Sequence, residues 1–154
     1  EKILGEGEEL VNLVSVVEEA TLLTRERLVN GMHDPTEGGL LGGLAEMAYA
    51  SGKLIRVYAD KIPIHEVTIE VTRVLGLDPL KILSSGALLA SVPRERAEEA
   101  VSLLKKNNIE ASVIGEVLPG ERGGPLLEVL KDNMREYIYD PYVEDEVIKL
   151  WSMK

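Results

Sequence analysis

Segments with a helical apolar period alternate along this chain with short runs of strand period, and that alternation points to a sheet covered by helices. Residues 8–29 place Leu10, Leu13, Val14 and Val17, then Leu28 and Val29, at helical spacing, with Asn30-Gly31 as the stop. Residues 32–39 read as a loop. A second helix follows, with Leu40, Leu41, Leu44, Met47 and Ala48 on one face and Ser51-Gly52 at its end. Leu54 to Tyr58 alternates as a strand should. Pro63 opens a third helix with the stripe Ile64, Val67, Val71, Val74 and Leu75, stopped by Gly76, and Asp78-Pro79 starts a helical turn. Ala87 to Val92 reads as a buried strand. Pro93 precedes a helix whose inner face is Ala97, Ala100, Val101 and Leu104. Strands are expected at 110–118 and 125–130, forming a hairpin around Pro119–Gly124. Asp140-Pro141 opens a last helix through Trp151. The order α, α, β, α, β, α, β, β, α predicts an α/β (α+β) fold, a mixed β-sheet covered by helices.

The 154 residues suffice for one domain with a sizeable core, and no repeat, linker or low-complexity tract divides them. A net charge of −10 argues against a nucleic-acid backbone or an anionic membrane as partner. The chain has no cysteine, which removes disulfides, thiolate metal sites and cysteine nucleophiles from these residues. It also has no glutamine and no phenylalanine; few thermolabile residues and many Glu, Lys and Arg suggest a thermophilic source. No apolar run reaches the roughly 18 residues of a membrane span, and no basic-then-apolar leader opens the chain, so an intracellular location is expected. Because the first residue is Glu1 and not methionine, a longer parent polypeptide is expected.

The unusual residues concentrate in one segment, His33-Asp34-Pro35-Thr36-Glu37-Gly38-Gly39. Backbone amides at a helix entrance attract anions, and Gly38-Gly39 would let a phosphate approach closely. Asp34 has the chemistry of a magnesium ligand, and His33 that of a phosphate donor or general acid. A structural reading stands beside this one. Asp34 followed by Pro35 has the pattern of an N-cap followed by proline in the first helical position, with Glu37 completing a variant capping box. Asp78-Pro79 and Asp140-Pro141 repeat the pattern at other predicted helix starts. Gly38, Gly39, Gly42 and Gly43 each cost a helix about 1 kcal/mol relative to alanine. Close packing on the sheet and backbone approach to a ligand both account for them. His65 is read as a solvated or capping residue, and the paired glutamates Glu8-Glu9, Glu18-Glu19 and Glu98-Glu99 as solvated helix faces.

Met32 to Leu40 resembles a signature of the aminoimidazole ribonucleotide synthetase (AIR synthase) superfamily, most closely its hydrogenase expression/formation branch, HypE, where the loop commonly reads His-Asp-Pro-Thr-Arg-Gly-Gly. Further blocks match in order: Glu46-Met47-Ala48, Ser51-Gly52, Lys61-Ile62-Pro63, Leu75 to Leu80, Ser85 to Leu89 and Val113 to Val117. The resemblance implies an AIR synthase C-terminal domain-like, partly ferredoxin-like fold over residues 1–154. It also implies a separate N-terminal ATP-binding domain as partner, a homodimer, a cytoplasmic location, and ATP with Mg2+ as cofactors of the full-length enzyme. On this reading His33, Asp34, Thr36 and Glu37 are catalytic, Asp34 holds the metal, and Gly38 and Gly39 border the nucleotide. Two departures accompany it. Glu37 stands in place of the usual arginine, and the cysteine-bearing tail on which HypE dehydrates a carbamoyl group has no counterpart in these residues, so a HypE-like relative is expected, distinct from HypE proper and with its substrate left open. The alternative is a non-catalytic binding or subunit-interface module.

Overall fold

The computed structural model describes residues 5, 7, 8 and 10–152. Helices α1 (Val17–Arg25), α2 (Gly39–Ser51), α3 (Glu66–Leu75), α4 (Ala97–Lys106) and α5 (Ile148–Ser152) alternate with strands β1 (Gly31–His33), β2 (Lys53–Tyr58), β3 (Leu89–Ser91), β4 (Gly115–Pro119), β5 (Leu127–Lys131) and β6 (Met134–Ile138). The strands form two sheets. β1 and β3 pair antiparallel, and a mixed four-stranded sheet has the order β4-β2-β5-β6. β2 lies antiparallel to β4 and parallel to β5, and β5 and β6 form an antiparallel hairpin.

The strand alternation expected at β2 is present: Ile55 and Val57 are buried, and Leu127 and Val129 lie beside them in register on β5. These four pack against Leu41, Leu44, Ala45 and Ala48 of α2. Burying a leucine of this kind stabilises by about 1.5–3 kcal/mol, so α2 is fixed on the sheet and its first turn has a defined place. Gly52, with φ 64, ends α2 by donating its amide to the carbonyls of Ala48 and Tyr49, the αL cap that Ser51-Gly52 predicts. A second core joins Leu23 and Leu28 to Ala100 and Leu104 of α4.

Several expectations fail locally. The long first helix is replaced by a 3-10 turn over Leu10–Leu13, helix α1 and strand β1, and its early stripe is open to solvent, Leu13 at 65% and Val17 at 69%. In α3 the stripe is divided: Val67 is buried, but Val71 and Val74 are 39% and 80% exposed. The strands near 110–118 and 125–130 do not form a hairpin, because β2 lies between β4 and β5. The hairpin is β5–β6, turned by Asp132 and Asn133 at φ 48 and 64, the primed geometry that suits strand twist. The last helix covers only Ile148–Ser152. His65 is a cap, its Nδ1 accepting from the Val67 amide at 3.3 Å. Glu9 of the Glu8-Glu9 pair and the last residues, Met153 and Lys154, lie outside the described residues.

Candidate functional site

The segment from His33 to Gly39 connects the end of β1 to the start of α2. Pro35 is fully buried and anchors the segment against α2, while Asp34, Thr36 and Glu37 on either side are exposed. The proline therefore holds a short polar rim at the entrance of a packed helix.

Neither half of the capping-box reading holds. The residue preceding α2 is Gly38, at φ 74, and no side chain caps the helix from that position. Asp34 has no hydrogen-bond or ion-pair partner among the described residues, and Glu37 turns to its neighbour instead, accepting from the Thr36 hydroxyl at 2.8 Å. That hydrogen bond, followed by one from the backbone of Glu37 itself, holds the Glu37 carboxyl below its ordinary value against a small opposing effect of burial.

The glycines have a packing role. A Cβ on Gly38 would overlap the Val143 carbonyl. A Cβ on Gly39, at φ 66, would lie 2.5 Å from the Ile82 carbonyl oxygen and 2.7 Å from that of Leu80. One on Gly43 would come within 2.6 Å of Pro35 Cβ. Their neighbours are thus loops and the buried proline rather than the four-stranded sheet. The amides at the entrance are engaged within the chain as well. Gly38 donates to Asp145 Oδ2 at 3.0 Å, Gly39 to the Thr36 carbonyl at 3.2 Å and Leu41 to the Leu80 carbonyl at 3.0 Å. The expectation of Gly38 and Gly39 amides free to meet a phosphate is therefore not met in this conformation.

Three carboxylates that sequence reasoning left out of the site belong to this region. Asp145 accepts from Gly38, and its other oxygen accepts from the Val147 amide at 2.9 Å. Its neighbour Glu146 accepts from the Asp78 amide at 2.7 Å and from Lys149, so residues 143–149 strap the 33–39 and 78–82 loops together. Glu46, on α2, is bonded to His33 Nε2 at 2.6 Å. Glu46 stood in a block matching the family, which was the one signal available for it; nothing in the sequence marked Asp145.

The rim is acidic: Asp34, Glu37, Glu46 and Asp145 against a single imidazole. Among the described residues no three His, Asp or Glu side chains are close enough together to hold a metal. Asp34 still fits one part of a magnesium site, since that ion commonly takes one or two protein carboxylates and completes its shell with phosphate oxygens and water. Two depressions on the surface, one of about 70 Å³ beside Leu41 and Leu80 and an open one of about 630 Å³ beside Leu13 and His65, are not lined by residues 33–39.

The family model described as AIR synthase related protein, C-terminal domain, matches residues 1–128. Carbamoyl dehydratase HypE of Azotobacter vinelandii is 35% identical over 104 residues, which is 66% of this chain and 30% of that protein. The crystal structure of Escherichia coli HypE, a hydrogenase maturation protein, superposes with a TM-score of 0.70 at 25% identity, covering 84% of this chain and 41% of that one. A crystal structure of hydrogenase maturation protein HypE in complex with ATP gives a TM-score of 0.65 at 27% identity, covering 78% of this chain and 38% of the other. The chain thus spans less than half the length of each of these relatives.

Proposed function

The chain belongs to the AIR synthase related family, matching its C-terminal domain, and from that premise we propose that it is the C-terminal half of a HypE-like, ATP-dependent enzyme. In this reading residues 33–39 form one wall of a cleft whose other wall is an N-terminal ATP-binding domain. The observation that carries it is Asp34: an exposed carboxylate without a partner among the described residues, beside a fully buried proline, in front of a helix whose N-cap position, Gly38, makes no side-chain cap.

Bound Mg-ATP would supply a phosphoryl group activated for transfer. The residues of this chain do the rest of the work on their side of the cleft. Asp34 provides one anionic oxygen for the metal. His33 holds or moves a proton at the nitrogen that Glu46 does not occupy. Thr36 keeps Glu37 anionic through its hydroxyl. Gly38 and Gly39 allow the loop to lie against the 78–82 and 143–149 backbones and so set where the rim stands. Because the rim is acidic, phosphate is drawn to it only through a cation, either the metal or a basic residue of the other domain. The homodimer, the cytoplasmic location and the use of Mg2+ belong to the same reading and rest on the family resemblance. Among the described residues, no helix is long and apolar enough to cross a membrane.

The test is a substitution in the polypeptide that carries both domains. Asp34→Ala should lower ATP turnover on the order of a hundredfold and leave the unfolding midpoint unchanged, because no cap is lost. Unchanged turnover would return the segment to a structural role and favour a binding or subunit-interface module.

A further inference from the structure

The His33 ring sits in a seat built from α2. A side chain at position 43 would place its Cβ 3.2 Å from His33 Cδ2 as well as 2.6 Å from Pro35 Cβ, so Gly43 is what lets the imidazole approach the helix closely. On the same helix, three residues further on, Glu46 Oε2 bonds Nε2 of that ring at 2.6 Å. The Cδ2–Nε2 edge therefore faces α2, and the Nδ1 edge faces away from it. Nδ1 has no hydrogen-bond partner among the described residues. The seat and the carboxylate are independent features, and both turn the same nitrogen away from α2.

We propose that Glu46 is a positioning residue for His33, and that His33 Nδ1 is the atom that exchanges a proton with the ligand. This rests on the reading of residues 33–39 as one wall of an ATP site. A hydrogen bond at one imidazole nitrogen decides which nitrogen carries the proton in the neutral ring. A carboxylate at Nε2 keeps the proton there and leaves a lone pair on Nδ1. That lone pair takes the proton from an O–H or N–H of a substrate being activated: the substrate bond to hydrogen breaks and leaves its electron pair on the substrate atom, a new N–H forms at Nδ1, and the Glu46 carboxylate faces the resulting cation. The proton later leaves by the reverse step to a phosphate oxygen or to water. Nothing is oxidised or reduced. An isolated surface ion pair contributes little to stability, so Glu46 is expected to register in proton transfer rather than in folding.

Two measurements test this. In the 15N-labelled chain, long-range proton–nitrogen spectra of the neutral His33 ring should show a single tautomer protonated at Nε2. Glu46→Ala should give a mixture of both tautomers, and Glu46→Gln, which keeps an acceptor oxygen, should restore the single form. An identical tautomer pattern in Glu46→Ala and the wild-type chain overturns the proposal. In the polypeptide carrying both domains, Glu46→Ala should lower kcat for ATP turnover about tenfold with KM changed less than about twofold, and Glu46→Gln should recover most of the loss. Undiminished kcat in Glu46→Ala beside an impaired His33→Ala overturns the role of Glu46 alone. Undiminished turnover in His33→Ala overturns the wall reading and this proposal with it.

Discussion

Gly39 and Gly52 both hold positive φ, yet they do so for different reasons, and the difference is measurable. Around Gly52 nothing lies within 4 Å of an added Cβ, so Gly52→Ala should cost only about 1 kcal/mol of backbone strain. At Gly39 the same methyl meets two carbonyl oxygens at 2.5 and 2.7 Å, so Gly39→Ala should cost more than about 2 kcal/mol, read as a shift of the urea midpoint with an unchanged slope. Equal costs at the two positions would mean that the 80–82 backbone yields. At Glu37 the change is electrostatic. Restoring the family's arginine, Glu37→Arg, should tighten ATP binding in the two-domain protein about fivefold, seen by calorimetry. The sequence made the density of glycines conspicuous and left two explanations open. It withheld the answer because the atoms that crowd Gly38 and Gly39 belong to Leu80, Ile82 and Val143, far away along the chain. His33 and Glu46 illustrate the same limit: each is visible, but their contact depends on how β1 lies against α2.

Among the elements, β5 carries the most telling residue. Glu128 is 3% exposed, although it lies on the sheet face opposite α2, because Arg56, Arg135 and Tyr137 surround it. The hydrogen bond from Arg56 is the main cause that holds its carboxyl below the ordinary value; burial opposes it, and Arg135 and Tyr137 assist. A carboxylate depressed in the folded state contributes stability that is fully present above its unfolded value, about 4.3, and is lost as pH falls through the folded value. Glu128→Gln should therefore destabilise by on the order of 1–2 kcal/mol at neutral pH, and the gap from wild type should narrow below about pH 4 in chemical unfolding. A gap independent of pH would show that the carboxylate charge is not what β5 relies on. The elements were legible where burial is one-sided: Ile55 and Val57 announce β2, and the α2 stripe faces the sheet as expected. They were illegible where packing departs from the pattern. Leu13, Val17 and Val74 are spaced for a core they do not enter, and β6 escaped notice because four of its five residues are exposed. Parallel pairing of β2 with β5 cannot be read from either strand, since register across some seventy residues leaves no local mark.

At the scale of the molecule, a mixed sheet covered by helices was anticipated from alternation alone, whereas strand order was not. The net charge of −10 and the acidic rim bear on binding directly. This chain without a second domain should show no Mg-ATP affinity in the micromolar range by calorimetry; a binding free energy near −8 kcal/mol, about micromolar, would show that the site is complete in these residues. The strap at 143–149 has one more consequence, which concerns time. Asp145 follows the Gly38 it caps by 107 residues, and translation adds roughly 5–20 residues per second. On the ribosome, α2 and its sheet partner β2 therefore exist for on the order of ten seconds before the carboxylate that closes the helix entrance has been made. During that interval the Gly38 amide can be served only by water or by a passing anion, and the rim takes its final shape only after residues 143–149 have been made.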